Sequence, residues 1–247
     1  GISVYSDSIH LNLRNPASYA GSNLKFYNNE ARPIKFTVGG SQSSVKLKTE
    51  SANDNSNTTT FDYLALAVPL GKFGAGFGII PYSSVGYKLQ SIDADDVLLY
   101  KYRGEGGLNK VFVGVGYQLT KDLRLGVDTH YNFGNITNTN IAYGYNYEGE
   151  FLQYHSREVN RSDLGGLSFN FGIIYSKLIQ DNLELTASAT FSPASNLSSE
   201  NERSFSSIAI NEATDQDFAF YTIDIDLTAQ NLKNTTLKIP AKSSIGV

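Results

Sequence analysis

The most regular feature of this sequence is a two-residue alternation of apolar and polar positions over stretches of about ten residues. Between positions 123 and 133 the odd positions are apolar or threonine, whereas the even positions are polar, charged or glycine. The same pattern recurs at 110–119, 167–176 and 183–192, and in an earlier pair at 58–70 and 73–89. Period-two alternation predicts β-strands with two chemically different faces. Short turns near positions 71, 121 and 181 join these strands into three hairpins.

Strand length indicates where the apolar face lies. Ten steps of about 3.3 Å, tilted by roughly 40°, rise about 25 Å, which is the height of the apolar band on outer-membrane barrels. Strands of soluble sandwiches and propellers usually have only about 5–6 residues. We therefore predict an all-β, transmembrane antiparallel β-barrel in the bacterial outer membrane. The alternative, a water-soluble β-sandwich, requires Val127, Ile173 and Leu185 to lie between two sheets.

The tight turns contrast with long polar stretches at 48–57, 88–108, 135–164 and 193–220. We interpret these stretches as long loops on one rim, with the short turns on the periplasmic rim. The sequence also predicts a bulge at Gly39-Gly40, because the apolar positions change parity there.

Composition excludes several other classes of protein. A mean hydropathy of -0.25, with no apolar run near the roughly 18 residues of a membrane helix, excludes a helical membrane protein. The absence of cysteine excludes a disulfide framework and a thiolate metal site. A net charge of -4 without a dense Lys/Arg stripe argues against nucleic acid as a partner.

The two ends of the chain differ from its middle. Residues 1–33 lack clean alternation and are predicted to be a separate N-terminal segment, and residues 34–247 an incomplete barrel. We count about eight strands and the beginning of a ninth, at 236–247. Because an unpaired edge in lipid leaves backbone groups unsatisfied, we expect the full-length protein to continue.

Five segments resemble FadL-type long-chain fatty-acid and hydrocarbon transporters in the form common among Bacteroidetes. They are residues 15–20 (NPASYA), 61–69 (FDYLALAVP), 76–87 (GFGIIPYSSVGY), 102–107 (YRGEGG) and 239–242 (IPAK). The similarity covers essentially the whole chain. It implies a 14-stranded barrel, with residues 1–33 forming an N-terminal hatch whose characteristic turn contains Asn15, Pro16 and Ala17.

The resemblance also implies a lateral opening at a kink in the third strand. Pro81, followed by Tyr82, matches that position, since a proline lacks the N–H that a ladder needs. The alternative is that Pro81 only ends the strand. If the resemblance holds, a ligand pocket is expected between the hatch and inward side chains. The expected lining residues are Leu24, Phe26, Tyr27, Phe112 and Ile174.

Two functions follow as hypotheses. The first is passive uptake of a fatty-acid-like hydrophobic small molecule from the outer-membrane lipid, by hatch rearrangement and lateral release, with no cofactor. The second is a non-transporting docking subunit of a larger outer-membrane assembly for secretion or barrel insertion, with other outer-membrane proteins or lipoproteins as partners.

Catalysis and metal binding are not expected. Asp128 and His130 point the same way, but side chains two apart on a strand are about 6–7 Å apart, and no nucleophile elbow is present. His10 and His155 have no ligand spacing. Arg157, Glu158, Arg161 and Asp163 form a charged cluster that either contacts lipopolysaccharide or a partner, or is a solvated set of ion pairs.

Inward glycines form one further group: Gly74, Gly76, Gly78, Gly114, Gly116, Gly126 and Gly134. They either make room for a hatch or ligand, or they relieve strain in a strongly curved sheet.

Overall fold

The computed structural model describes residues 11–20, 34–48, 53–180, 183–211, 214 and 216–247. These residues form eleven antiparallel β-strands and two short 3-10 helices. The strands are β1 Lys35–Lys48, β2 Asn53–Leu70, β3 Phe73–Ile92, β4 Leu98–Gln118, β5 Leu123–Ala142, β6 His155–Gln180, β7 Leu183–Ser192, β8 Ser195–Asn211, β9 Gln216–Asp224, β10 Asn234–Ile239 and β11 Lys242–Gly246. The 3-10 helices are Pro16–Tyr19 and Thr228–Gln230.

The eleven strands occupy eight rows of one sheet. The long strand β6 pairs with β7 along one half and with β8 along the other, so β7 and β8 continue one another across Pro193-Ala194. In the same way β9, β10 and β11 follow one another along the far side of β8 and β7. The expected count of about eight strands and the beginning of a ninth is therefore matched by the number of rows, whereas the structure has eleven strands. Residues 236–247 belong to the eighth row rather than to a ninth strand.

The rows run from β1 to β9–β11, and within the described residues these two edges are not paired with each other. Closure into a barrel stays a prediction. Among the residues placed in the structure, no helix has the length and apolar character needed to cross a bilayer.

Burial along the strands confirms that each strand has two chemically different faces. The apolar face is exposed and the polar face is buried, which is the reverse of a soluble protein. Val113 is 60% exposed, and Val127, Ile173 and Leu185 are 37–40% exposed. On the opposite face Asp128, at 1%, and Asn132, at 0%, are buried. All these residues belong to one sheet, so the sandwich alternative is wrong. We call the exposed apolar side chains of 111–117, 123–133 and 167–175 the apolar band.

The prediction of long loops is largely wrong. Most of 88–108, 135–164 and 193–220 is paired strand, and the connections after β3 and β5 shrink to 93–97 and 143–154. A strand with polar residues on both faces shows no apolar–polar alternation in its sequence. Its backbone still forms the hydrogen bonds to neighbouring strands. We call segments 83–107, 135–163 and 199–224 the protruding part, because they extend beyond the apolar band.

The bulge expected at Gly39-Gly40 is confirmed by a register shift between these residues. A second irregularity lies where the apolar band meets the protruding part. There Gly106 has a φ of 111° and stands opposite Ile136 on β5. A side chain at Gly106 would be forced into a left-handed conformation, and its β-carbon would overlap the carbonyl oxygen of Asn135.

We expect Gly106→Ala to lower the free energy of unfolding by about 1–3 kcal/mol, because strain and overlap add. Denaturant titration followed by far-UV circular dichroism measures the change. The matched control is Gly86→Ala on the adjacent strand, where a β-carbon meets open space. Equal stability of the two variants would show that the conformation at Gly106 carries no strain.

Candidate functional site

The first 3-10 helix has a clear local origin. Asn15 has an extended backbone, and its Oδ1 accepts a hydrogen bond from the N–H of Ala17 at 3.1 Å. Pro16 follows at the first helical position, where its fixed φ favours the turn and its missing N–H is not needed. The N–H of Ser18 closes the turn on the carbonyl of Asn15 at 3.0 Å. The sequence NPASY therefore specifies a rigid turn; we call residues 11–20 the inner segment.

The inner segment lies on the polar face of the sheet. Its 3-10 helix contacts five neighbouring strands, from β2 to β6, and residues 15–20 are all buried. Five strands spaced by about 4.8 Å span about 19 Å when flat, whereas a four-residue 3-10 helix is only about 8 Å long. The sheet must therefore curve around the inner segment, with its polar face inside.

Glycines on four strands form the seat of the inner segment. At Gly126 an added β-carbon would overlap the Ala17 nitrogen and the Pro16 carbonyl carbon. The other glycines that face the segment in this way are Gly74, Gly76, Gly114, Gly116 and Gly172. Five of the seven inward glycines thus make room for the inner segment, while room for a hatch or ligand stays a prediction. Gly78 instead faces Leu64 and Phe112, and Gly134 has a φ of 154° against Gly107.

Polar contacts anchor the inner segment to β6. Asn15 donates through Nδ2 to the carbonyl oxygen of Ile173 at 3.3 Å, and Asn170 donates through Nδ2 to the carbonyl oxygen of Arg14 at 3.2 Å. Ser18 donates to the carbonyl of Asn12 at 3.1 Å within the segment. Each such buried bond contributes on the order of 1 kcal/mol, and breaking one partner costs more.

The residues expected to line a ligand pocket have several locations. Phe112 is buried in a cluster with Tyr19 of the inner segment and Ala65 of β2. Ile174 is buried on the inner face of β6. Leu24, Phe26 and Tyr27 lie outside the described residues. Where Phe112 was expected to meet a ligand, it packs against the protein's own Tyr19.

The remaining inner wall is polar. Asn132 donates to the hydroxyl of Ser168 at 2.9 Å. His130 Nε2 is 3.9 Å from Asp128 Oδ2, which is too long for the base–orienter hydrogen bond of a catalytic pair. In the described part of the chain no group of three or more His, Cys, Asp or Glu could hold a metal. His10 lies outside the described residues, and His155 accepts a hydrogen bond at Nδ1 from Gly144. That the protein is not an enzyme stays a prediction.

The strand positions of Pro81 and Tyr82 are irregular. The β2–β3 ladder ends at the pair Leu64 and Ile79, and a register shift between Pro81 and Ser83 leaves Tyr82 out of the β3–β4 ladder. Lys110 lies over the Tyr82 ring, with Nζ 4.3 Å from its centroid. Pro81 therefore does not end β3, which continues to Ile92.

A second site, of which the sequence analysis singled out only Arg157, lies in the protruding part. A cavity of about 300 Å³ is lined by residues of β3, β4, β5, β6, β8 and β9 and of the β5–β6 connection. Its charged lining residues are Lys88, Lys101, Arg103, Glu105, Arg157 and Asp217. Arg157 pairs with Asp217, and Arg103 with Glu105 at 2.7 Å. We call it the cationic pocket.

Aromatic side chains fix the β5–β6 connection next to this pocket. Tyr143 lines the pocket, and its ring centroid is 5.0 Å from that of His155. Tyr145 donates its hydroxyl to the carbonyl of Leu98 at 2.6 Å. Burial raises the pKa of the Tyr145 phenol, and nearby Tyr143 and Asp93 raise it further. The hydroxyl therefore stays a protonated donor that holds the connection on β4.

The family match comes from the whole chain. A family model described as BamG matches residues 1–247. The chain belongs to the BamG family. This family is related to the barrel-assembly machinery. No curated protein and no solved structure shows significant similarity to the chain.

Membership of the BamG family corrects the resemblance to FadL-type transporters, which was wrong. The segments that carried the resemblance describe a turn on a glycine seat and strands with a proline irregularity. Such features serve any barrel that holds a segment on its inner face. The 14-strand count, the lateral exit at Pro81 and fatty-acid uptake depended on that resemblance and lose their basis with it.

The glycine seat makes a direct prediction. Because the chain contains no cysteine, Ser18→Cys introduces a unique thiol at a site that is 4% exposed. We expect this thiol to resist maleimide in the otherwise unchanged protein. Adding Gly126→Val, which removes the seat, should increase the labelling rate at least about tenfold, since the inner segment must move. Gly86→Val is the control and should leave the thiol protected. Fast labelling without Gly126→Val would contradict the packing described.

Proposed function

We propose that this protein is a non-transporting docking subunit of the barrel-assembly machinery in the bacterial outer membrane. The observation that carries the proposal is the BamG family match over residues 1–247. It supports association with other outer-membrane assembly proteins, whereas nothing comparable supports a hydrophobic small-molecule substrate.

The exposed apolar band supports placement in the membrane. Its side chains alternate with buried polar ones on β4, β5 and β6, as on barrels with lipid outside and a polar interior. The short turns at 71–72 and 119–122 lie at one end, and the protruding part lies at the other. By the usual orientation of such barrels, the short turns face the periplasm and the protruding part faces outward.

The inner segment supports a function without transport. A solute moving along the polar face would have to displace residues 15–20, which are buried on a seat of glycines and bonded to β6. A sheet whose polar face is covered in part by its own chain is well suited to present its other surfaces to partners. Docking requires no movement of the inner segment.

Lipid contact predicts an unusual sensitivity to charge at exposed positions. Val113→Arg, within the apolar band, should lower the free energy of unfolding in lipid vesicles by about 2–4 kcal/mol, because arginine would meet hydrocarbon. Val45→Arg is the matched control: Val45 is 48% exposed and pairs with Ser56, away from the band. It should change stability by less than about 0.5 kcal/mol. Equal effects of the two substitutions in a urea titration would remove the support for membrane placement.

Docking itself is tested by isolation from native outer membranes. We expect the affinity-tagged full-length protein, extracted in mild detergent, to retain components of the barrel-assembly machinery in fixed stoichiometry. Quantitative mass spectrometry of the purified complex gives the ratio. Recovery as an isolated monomer that carries fatty acid would contradict docking and favour transport.

A further inference from the structure

The cationic pocket is lined by no residue of the inner segment or of the apolar band. We propose that it binds the carboxylate side chains of an extended acidic segment from a partner protein. This inference rests on the proposed docking function and names the chemistry of one docking contact.

The charge of the pocket is opposite to that of the chain. Four basic and two acidic side chains line the cavity, which gives a formal charge of +2, whereas the whole chain carries -4. The basic residues are Lys88, Lys101, Arg103 and Arg157. A concave surface with a local excess of one sign attracts ligands of the other.

The arrangement of these cations favours an added anion. Lys88 stands directly opposite Arg103 on the antiparallel partner strand, and like charges in that relation repel each other. Arg103 has one carboxylate partner, Glu105, and both side chains are 57% exposed, so this pair is weak. Within the described residues Lys88 has no ion-pair partner. A carboxylate between Lys88 and Arg103 would replace repulsion with attraction.

The height of the pocket argues against phospholipid headgroups as its ligand. Val159 lines the pocket and lies eight residues from Leu167, which ends the apolar band on β6. Eight steps of about 3.3 Å, tilted by about 40°, give a height of about 20 Å. The headgroup layer of a bilayer extends only about 5–8 Å beyond the hydrocarbon. Phospholipid headgroups therefore do not reach the pocket, whereas a partner's polypeptide does.

The pocket is accessible to an extended chain. Above Ile79, strand β3 pairs with β4 on one side, and within the described residues its other side has no partner strand. Lys88 and Gln90, which line the pocket, belong to this half of β3. An extended segment can approach this edge without displacing a strand, and alternate side chains would then face one side.

The test uses full-length protein in nanodiscs of neutral lipid and two fluorescein-labelled peptides. One peptide alternates glutamate and threonine, and the other alternates glutamine and threonine. The variant is Lys88→Gln with Lys101→Gln. Its matched control is Lys48→Gln with Lys238→Gln, which removes two exposed lysines outside the pocket. Fluorescence anisotropy gives the dissociation constants.

We expect the glutamate peptide to bind, the glutamine peptide not to bind, and the pocket variant to weaken binding by roughly tenfold. Raising NaCl from about 50 mM to about 500 mM should weaken binding further. The control variant should bind like the unchanged protein. Failure of the glutamate peptide to bind, or equal binding by the pocket and control variants, would overturn the proposal. So would stronger pocket-dependent binding of glycerol phosphate, which would identify a lipid headgroup instead.

Isolation of the tagged proteins from native membranes separates this inference from the proposed function. If the glutamate peptide fails to bind but the machinery is still recovered, the acidic-segment inference is wrong and docking stands. If the peptide binds through Lys88 and Lys101 but no machinery is recovered, the pocket chemistry stands and the proposed function is wrong.

Discussion

The structure depends on one constraint: a single sheet exposes many large apolar side chains on one face, although Phe112 and Ile174 lie on the other. Val113, Val127 and Ile173 have no covering layer among the described residues, so hydrocarbon is the environment that suits them. The opposite face must then accommodate polar groups away from water. It does so by pairing Asn132 with Ser168 and by bonding Asn170 to the backbone of the inner segment.

The glycine seat follows from that constraint. A polar inner face that curves around a turn needs the backbone of the sheet and the backbone of the turn to approach closely, and side chains would prevent it. Gly126 and Gly172 remove the obstacle on β5 and β6, while Asn15 and Asn170 supply specific hydrogen bonds. The result is a polar face that the chain's own inner segment covers at β3–β6. This arrangement supports the proposed docking function.

The sequence predicted those parts of the fold in which the two faces of a strand differ in chemistry. The alternation around Val127 and Ile173 specified strands, faces and hairpins, and the parity change at Gly39-Gly40 specified a bulge. The upper halves of β5 and β6 were missed because segments such as 137–140 are polar on both faces. The extent of these strands comes from pairing between rows, which a local pattern does not contain.

The candidate sites show the same division. Most glycines of the seat were predicted to point inward. The contact of Gly172 with Asn15 and the packing of Tyr19 on Gly76 depend on where the inner segment lies, and the sequence does not show that position. The cationic pocket was foreseen only through Arg157, because Lys88, Lys101 and Arg157 lie on three strands and only the strand register brings them together. The FadL resemblance failed because its segments specify a turn held on glycines and long strands, which are features of the sheet rather than of transport.

The most direct test of membrane placement puts single cysteines at consecutive positions 127–132 of the cysteine-free chain, labels them with bimane, and measures quenching by brominated lipid in native-like bilayers. We expect strong quenching at Val127, Thr129 and Tyr131 and little at Asp128, His130 and Asn132. Quenching without a two-residue period, or stronger quenching at 127, 129 and 131 by aqueous iodide than by lipid, would contradict an apolar face in contact with hydrocarbon.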